Sequence, residues 1–210
     1  MKAVIFDIDG TLLDTTEYIY QAFENSLKTH GYPLISRADM SHTIGESLED
    51  CYRAFCGAQD VARLIDTHHV FQLEHPYLPF AYNTVKETLH SLKKQGIQIG
   101  ALTSRSAETV QDTLEDAGIG GYIAHVLTLD DVVHHKPDPE GIYKHLNYFG
   151  IAPEQAMMVG DSPVDVLAGK NAGVKTVGVT YGFHGNRILE SDPDYVIDDI
   201  GEIVRLVAKS

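Results

Sequence analysis

Hydrophobic and polar positions change their periodicity twice along this chain. Residues 3–6 are an uninterrupted apolar run, Ala-Val-Ile-Phe, the pattern of a short strand buried on both faces. From position 16 to about 73 helical spacing takes over. Ile19, Phe23 and Leu27 recur at every fourth position over 16–30, and 47–56 and 61–73 read as further helices, with Gly31-Tyr32-Pro33 breaking the first. Beyond this block helices and strands alternate. Strands are predicted at 97–102, 125–129, 156–159 and 175–179, with a short edge strand at 195–197. The helices between them fall at 83–95, 106–117 and 163–172, with one more opened by Asp138 and Pro139, and a last one carries Ile200, Ile203, Val204 and Val207. Such alternation predicts an α/β protein with a doubly wound, Rossmann-like parallel sheet built from 1–14 and 81–210, and an inserted all-helical domain at 15–80.

Chemistry-bearing residues collect where the predicted strands end, which is where open α/β sheets bind ligands. Asp7 and Asp9 follow the first strand, and their two-residue spacing points both side chains the same way while the chain stays extended. Two carboxylates that close raise each other's pKa unless a cation or a shared proton intervenes, an arrangement suited to a nucleophile beside an acid/base. The plainer reading is an Asp-Gly turn. Thr103-Ser104-Arg105 ends the next strand; a hydroxyl and free amides there can hold phosphate oxygens, and Ser104 or Ser106 can equally cap a helix. Lys136 sits in a loop stiffened by Pro137 and Pro139. Asp161 and Asp165 follow the fourth strand. Asp165 also completes a capping box opened by Ser162, with Pro163 at the first helical position, whereas Asp161 precedes that cap and is not explained by it.

Charge narrows the partners. Thirty acidic residues against sixteen basic ones leave a formal charge of −14, which argues against nucleic acid, whose backbone needs a basic face. No apolar run approaches membrane-spanning length and no signal peptide precedes the first strand, so a cytoplasmic protein with no membrane partner is expected. Cys51 and Cys56 lack a second pair to complete a zinc site and read as reduced thiols. His68-His69 and His134-His135 are adjacent rather than one helical turn apart, which suits surface or packing roles better than metal ligation.

Asp7-Ile8-Asp9-Gly10-Thr11, Thr103-Ser104, Lys136 and Gly160-Asp161 with Asp165 occur in the order of the four motifs of the haloacid dehalogenase-like superfamily. The chain resembles its helically capped hydrolases, phosphoglycolate phosphatases in particular. By that resemblance the insertion is a cap hinged at 14–16 and 75–81, closing over the site. The resemblance implies Mg²⁺ held by Asp7, the backbone carbonyl of Asp9 and Asp161, with Asp165 supporting the ion's waters. It further implies that Asp7 is the nucleophile of an aspartyl-phosphate pathway and Asp9 the acid/base. Thr103, the Ser104 amide and Lys136 would bind the transferring group. The segment 42–47 resembles a substrate-selecting loop, with Gly45 as its turn; Glu46, if it faces the site, would repel a strongly anionic leaving group.

The expected activity is therefore Mg²⁺-dependent hydrolysis of a small phosphorylated metabolite, phosphoglycolate phosphatase-like, by a monomer or homodimer. Segments 128–141 and 158–179 equally resemble a related branch that hydrolyses inorganic pyrophosphate, which is the first alternative. A β-phosphoglucomutase-like mutase is the next, since 14–23 resembles those enzymes, although Ile19 stands where they carry a cap histidine. A binding protein that has lost catalysis is the last.

Overall fold

The computed structural model describes residues 1–57, 60–76 and 78–209. Strand β1 (Ala3–Phe6) is entirely buried. It is followed by β2 (Leu13–Asp14) and then by helices α1 (Thr16–Thr29), α2 (Arg37–Met40), α3 (Leu48–Cys56) and α4 (Ala62–Glu74). After β3 (Phe80–Ala81) come α5 (Val85–Lys94), β4 (Gln98–Leu102), α6 (Ala107–Asp116), β5 (His125–Leu127), α7 (Glu140–Phe149), β6 (Ala156–Gly160), α8 (Pro163–Ala172), β7 (Lys175–Val179), β8 (Tyr195–Ile197) and α9 (Ile203–Lys209). Six strands form one sheet in the order β5-β4-β1-β6-β7-β8, every pair parallel. The chain runs outward from β1 on one side and then outward from β6 on the other. The order therefore reverses between β1 and β6, the position where such sheets open a crevice at their carboxyl ends.

Alternation along β1 separates two cores. Val4 and Phe6 pack with Leu89, Leu114, Val159 and Ile203 on one face. Ala3 and Ile5 pack with Leu102, Ile142, Met158 and Ala168 on the other. A third core belongs to the inserted helices, with Tyr18, Phe23, Leu27, Tyr52 and Leu64 at its centre. The chain enters and leaves that unit through an antiparallel ribbon, Leu13 opposite Ala81 and Asp14 opposite Phe80. The separate core and the ribbon are the grounds on which we propose the division into 1–14 with 81–210 and 15–80. The second expected hinge, 75–81, includes position 77, which lies outside the described residues.

The expected elements are present with shifts of one to three residues at their ends, and two differences have local causes. The strand at 125 stops at Leu127 because Thr128 caps a turn: its amide and hydroxyl both donate to Asp131 Oδ2, at 2.8 and 2.6 Å. The helix at 106 is not capped by Ser106. Asp130 accepts from the Ala107 amide instead, at 2.8 Å, and leaves the serine hydroxyl free. Among the described residues no helix is long and apolar enough to cross a membrane. Both cysteines are free thiols, and burial pushes Cys51 up to about 12.

Two histidines are locked in these cores. His68 meets the Tyr52 hydroxyl at 2.9 Å and His145 meets the Ala101 carbonyl at 3.0 Å, both fully buried. Burial pushes each down to about 3, helped by His69 and Arg105 for the first and by His125 for the second. The folded state therefore keeps both neutral, while the unfolded chain takes up protons below about pH 6.5. Their contribution is intact above that pH and is lost as pH falls from 6.5 toward 3. Between pH 7 and 5 the pair is expected to cost about 4 kcal/mol, of which His68→Gln removes roughly half, as urea unfolding at the two pH values will measure.

Candidate active site

The loops that follow β1, β4, β5 and β6 meet above the crevice. Asp7 continues β1 by one residue, its amide donating to the Val159 carbonyl of β6 at 2.8 Å, so its side chain leaves the sheet at a defined place. Lys136 reaches it from the loop after β5, where the Lys136–Pro137 peptide is cis. The ammonium donates to Asp7 Oδ1 and to Asp165 Oδ1, both at 2.7 Å, and to the Leu102 carbonyl at 3.3 Å. Its side chain is only 3% exposed. Burial alone would lower its pKa, but Asp165 and Asp7 outweigh that and hold it charged, above its ordinary value.

Asp165 divides its two oxygens between tasks. Oδ2 accepts from the Ser162 amide at 3.1 Å and hydroxyl at 2.8 Å, closing the capping box of α8, while Oδ1 grips Lys136. The capping-box reading holds, and the same carboxylate also ion-pairs with Lys136. Asp161 lies beside them, its Oδ2 accepting from the Phe183 amide at 2.6 Å. Gly10 makes room for it. At a φ of 81°, a Cβ on Gly10 would fall 2.5 Å from Asp161 Oδ2 and 2.7 Å from the Phe183 ring.

One oxygen each of Asp7, Asp161 and Asp165 lies within 4.8 Å of the others, all three side chains buried. Three carboxylates face one ammonium, two negative charges in excess. Burial pushes Asp7 up to about 7 against the pull of Lys136, with Asp165 and Asp9 adding repulsion. Asp161 is raised by burial and then by Asp7 and Asp165. An all-oxygen cluster with excess negative charge, and no histidine or cysteine in it, fits a hard divalent cation such as Mg²⁺.

Asp9 stands at the edge of this cluster. Thr103 Oγ1 lies 3.5 Å from its Oδ2, and Arg105 Nη1 lies 3.5 Å from its Oδ1. Arg105 is otherwise held by α6 and α1: Nε donates to Thr109 Oγ1, and Nη2 to the Thr109 carbonyl, Thr113 Oγ1 and the Tyr18 hydroxyl, at 2.9–3.2 Å. One amino group of the fork is thus left facing the acid.

A cavity of about 310 Å³ opens over Asp7 and Asp9 and extends under the inserted helices. Its floor includes Thr103, Ser104 and Arg105; α1 contributes Ile19 and Phe23, and α4 contributes Ile65, His68, His69 and Gln72. The 42–47 loop closes one side. Ser104 Oγ donates to the Gly45 carbonyl at 2.8 Å, and Gly45, at a φ of 109°, sits so close that a Cβ would fall 2.7 Å from Ser162 Oγ. Elsewhere Arg187 donates to Ser41 Oγ at 2.7 Å, joining the helical unit to the sheet domain. Glu46 borders the cavity from an exposed position, its carboxyl raised by partial burial and by Asp50.

The structure gathers Asp7, Asp161, Asp165 and Lys136 into one cluster and sets Asp9, Thr103 and Ser104 beside it. Gly45 is brought against Ser104 and Ser162, while Glu46 borders the same cavity as Asp7 and Asp9 from an exposed position. Sequence reasoning gave no role to Arg105 and read Ser106 as a possible helix cap and His68, His69 and His135 as surface or packing residues, yet all five border the cavity. Arg105 carried a signal, an arginine directly after the Thr-Ser pair in a strongly acidic chain. The histidines carried none, because which side of α4 faces the sheet domain depends on how two domains dock.

Residues 4–179 match the family described as haloacid dehalogenase-like hydrolase. The chain is 39% identical to the pyrophosphatase PpaX of Bacillus velezensis, covering 98% of this chain and 96% of that protein. It is 36% identical to the PpaX of Bacillus mycoides, covering 100% and 98%. Among solved structures, a predicted phosphoglycolate phosphatase from Haemophilus somnus superimposes with a TM-score of 0.90 at 28% identity, over 98% of this chain and 97% of that one. A putative haloacid dehalogenase-like hydrolase from Bacteroides fragilis gives 0.88 at 29%, over 96% and 99%.

Proposed function

The chain belongs to the haloacid dehalogenase-like hydrolases, and from that premise we propose that it is a Mg²⁺-dependent phosphohydrolase in which Asp7 is the nucleophile and inorganic pyrophosphate the preferred substrate. The observation that carries the chemistry is the pairing of Asp7 Oδ1 with Lys136 at 2.7 Å beneath an open cavity, with Asp9 at its edge. Asp7 and Asp161, with the Asp9 carbonyl, would hold the ion, and Asp165 would brace it from behind. Bound there, Mg²⁺ supplies charge stabilisation to the phosphoryl oxygens.

Asp7 attacks phosphorus in line, forming a carboxyl–phosphoryl bond as the bond to the leaving oxygen breaks. Asp9 gives that oxygen its proton. Lys136 and Thr103 offset charge on the equatorial oxygens. Asp9 then takes a proton from the water that cleaves the aspartyl-phosphate, returning Asp7 and releasing phosphate. Ile19 borders the cavity with an aliphatic side chain and has no proton to relay, which supports hydrolysis over a mutase reaction.

Two observations support pyrophosphate over phosphoglycolate, the alternative to the order expected from the motifs. The full-length relatives at 35–39% identity carry the pyrophosphatase name, whereas the phosphoglycolate phosphatase titles belong to structures at 28% and 19%. In addition, Arg105 presents an amino group next to Asp9, where a departing phosphate would form, and Glu46, the expected repelling charge, is exposed to water that screens it.

Initial rates with Mg²⁺ or with chelator, on pyrophosphate and 2-phosphoglycolate, test this reading. Pyrophosphate should give the higher kcat/KM, and Arg105→Met should lower that value about 100-fold for pyrophosphate. Turnover undiminished by chelator, or a preference for phosphoglycolate, would refute the corresponding half.

A further inference from the structure

Asp161 receives its hydrogen bond from a segment that also faces the inserted helices. After β7 the chain passes beside the loop that follows β1, tied to it by the Tyr181 hydroxyl, which donates to the Thr11 carbonyl at 2.9 Å. Gly182 then comes against the site. A Cβ there would fall 2.4 Å from Asp161 Oδ2 and 2.4 Å from the Gly10 carbonyl oxygen, so no side chain fits. That close approach delivers the Phe183 amide to Asp161 Oδ2 at 2.6 Å, and among the described residues it is the only hydrogen bond this buried carboxylate accepts.

The same few residues carry the helical unit. The Phe183 ring packs against the third core and meets Tyr20 of α1 edge to face, with ring centroids 5.9 Å apart. Four positions on, Arg187 donates to Ser41 Oγ at 2.7 Å, to the Ser41 carbonyl at 3.3 Å and to His42 Nδ1. Backbone bonds make the span between them one piece: the Gly185 amide donates to the Gly182 carbonyl at 3.2 Å, and the Arg187 amide to the His184 carbonyl at 3.0 Å. A shift of the helical unit away from the sheet domain must therefore break the Tyr20 and Ser41 contacts or carry the 182–187 turn, and the Phe183 amide, with it.

We infer that Phe183 and Arg187 are positioning residues for the cation: they act through Asp161, so that docking of the inserted helices sets how tightly the carboxylate cluster holds a divalent ion. The inference rests on the ion-binding half of the proposed function and is independent of the nucleophile and of the substrate. Groups that orient a metal-binding carboxylate from behind are worth about 10–100-fold in metal affinity. With the docking lost, Asp161 keeps its charge but not the donor that fixes its orientation. Linkage makes the effect reciprocal, because whatever factor docking adds to ion affinity the ion returns to docking. Bound cation thereby favours the covered form of the site before any substrate arrives.

The test uses Mn²⁺ without substrate, since it takes the same oxygen ligands and its unbound fraction is read by electron spin resonance. Arg187→Met and Tyr20→Leu cut the two contacts from opposite sides, and neither residue hydrogen-bonds a carboxylate of the cluster. Each should raise the Kd for Mn²⁺ about tenfold. The amides of residues 40–43 are hydrogen-bonded within the helical unit and report its docking through hydrogen exchange. Saturating Mn²⁺ should slow their exchange about tenfold in the wild type and leave it unchanged in Arg187→Met, a response that a merely structural arginine would not control. A raised Kd in either variant together with slowed wild-type exchange sustains the coupling. A Kd within about twofold of wild type in both variants, or wild-type exchange at 40–43 indifferent to Mn²⁺, overturns it and leaves the cation site standing. The wild-type exchange measurement needs no variant, so it decides even where a substitution prevents folding. Absence of Mn²⁺ binding to the wild type overturns both the coupling and the site.

Discussion

Asp7→Asn is expected to reduce turnover by about 10⁴-fold or more on every substrate while the protein stays folded. An amide keeps the shape of the side chain and can still accept from Lys136, but it cannot form the aspartyl-phosphate. Stability should move the other way. The wild-type carboxylate is buried, pushed up to about 7 and repelled by Asp165 and Asp9, so in chelator the variant should melt at the same temperature or higher. Mg²⁺ at about a hundred times its Kd should stabilise the wild type by about 2.7 kcal/mol, and the variant by much less. Thermal unfolding with and without the ion, run beside steady-state rates, reads both effects. Substantial residual activity would mean that another group attacks phosphorus.

Lys136→Met is expected to lose both activity and stability, and its stability effect is the larger of the two substitutions. The ammonium is 97% enclosed between two carboxylates, each 2.7 Å away. Removing one partner from a buried charge set leaves the others uncompensated, at a cost of about 3–5 kcal/mol. Part of that cost is evaded as Asp7 takes up a proton, which in turn makes it a poorer nucleophile. Turnover should fall about 10³-fold from lost charge stabilisation alone. Urea unfolding in chelator measures the first effect. Restoration of much of the stability by Mg²⁺ would support the account in which ion and ammonium offset the same excess of negative charge. Unchanged stability in chelator would mean that the carboxylates are already protonated in the native state.

These two outcomes differ because the site is an electrostatic compromise and not a set of independent contacts. In chelator the carboxylates oppose one another and Lys136 holds them together. The energetic reason for burying three acids must then come from a bound cation and an anionic substrate, neither of which the protein supplies.

The hydrophobic run at 3–6, the alternating helices and strands beyond 81 and the helical block before them were legible along the chain, since each depends on neighbours within one turn or one strand. The chemistry at the strand ends was legible for a related reason: parallel strands deliver their carboxyl ends to one edge, so residues just after each strand must converge. Element boundaries were less so. Asp131 and Asp130 redirect Thr128 and the start of α6 through side-chain hydrogen bonds that propensity does not encode.

By itself, then, the sequence marked the parallel strands, the helical insertion and the acids and lysine that follow the strand ends, because local periodicity locates each strand and a parallel sheet delivers their carboxyl ends to one edge. Only the tertiary structure decided how Asp165 divides its oxygens, that Arg105 turns an amino group toward Asp9, and that His68 and Ser106 border one cavity. Those facts depend on the docking of the helical unit against the sheet domain, through Ser104 on Gly45 and Arg187 on Ser41, contacts between positions 59 and 146 apart. Packing between two separate cores is set by shape and burial summed over both surfaces, and no stretch of sequence carries that sum.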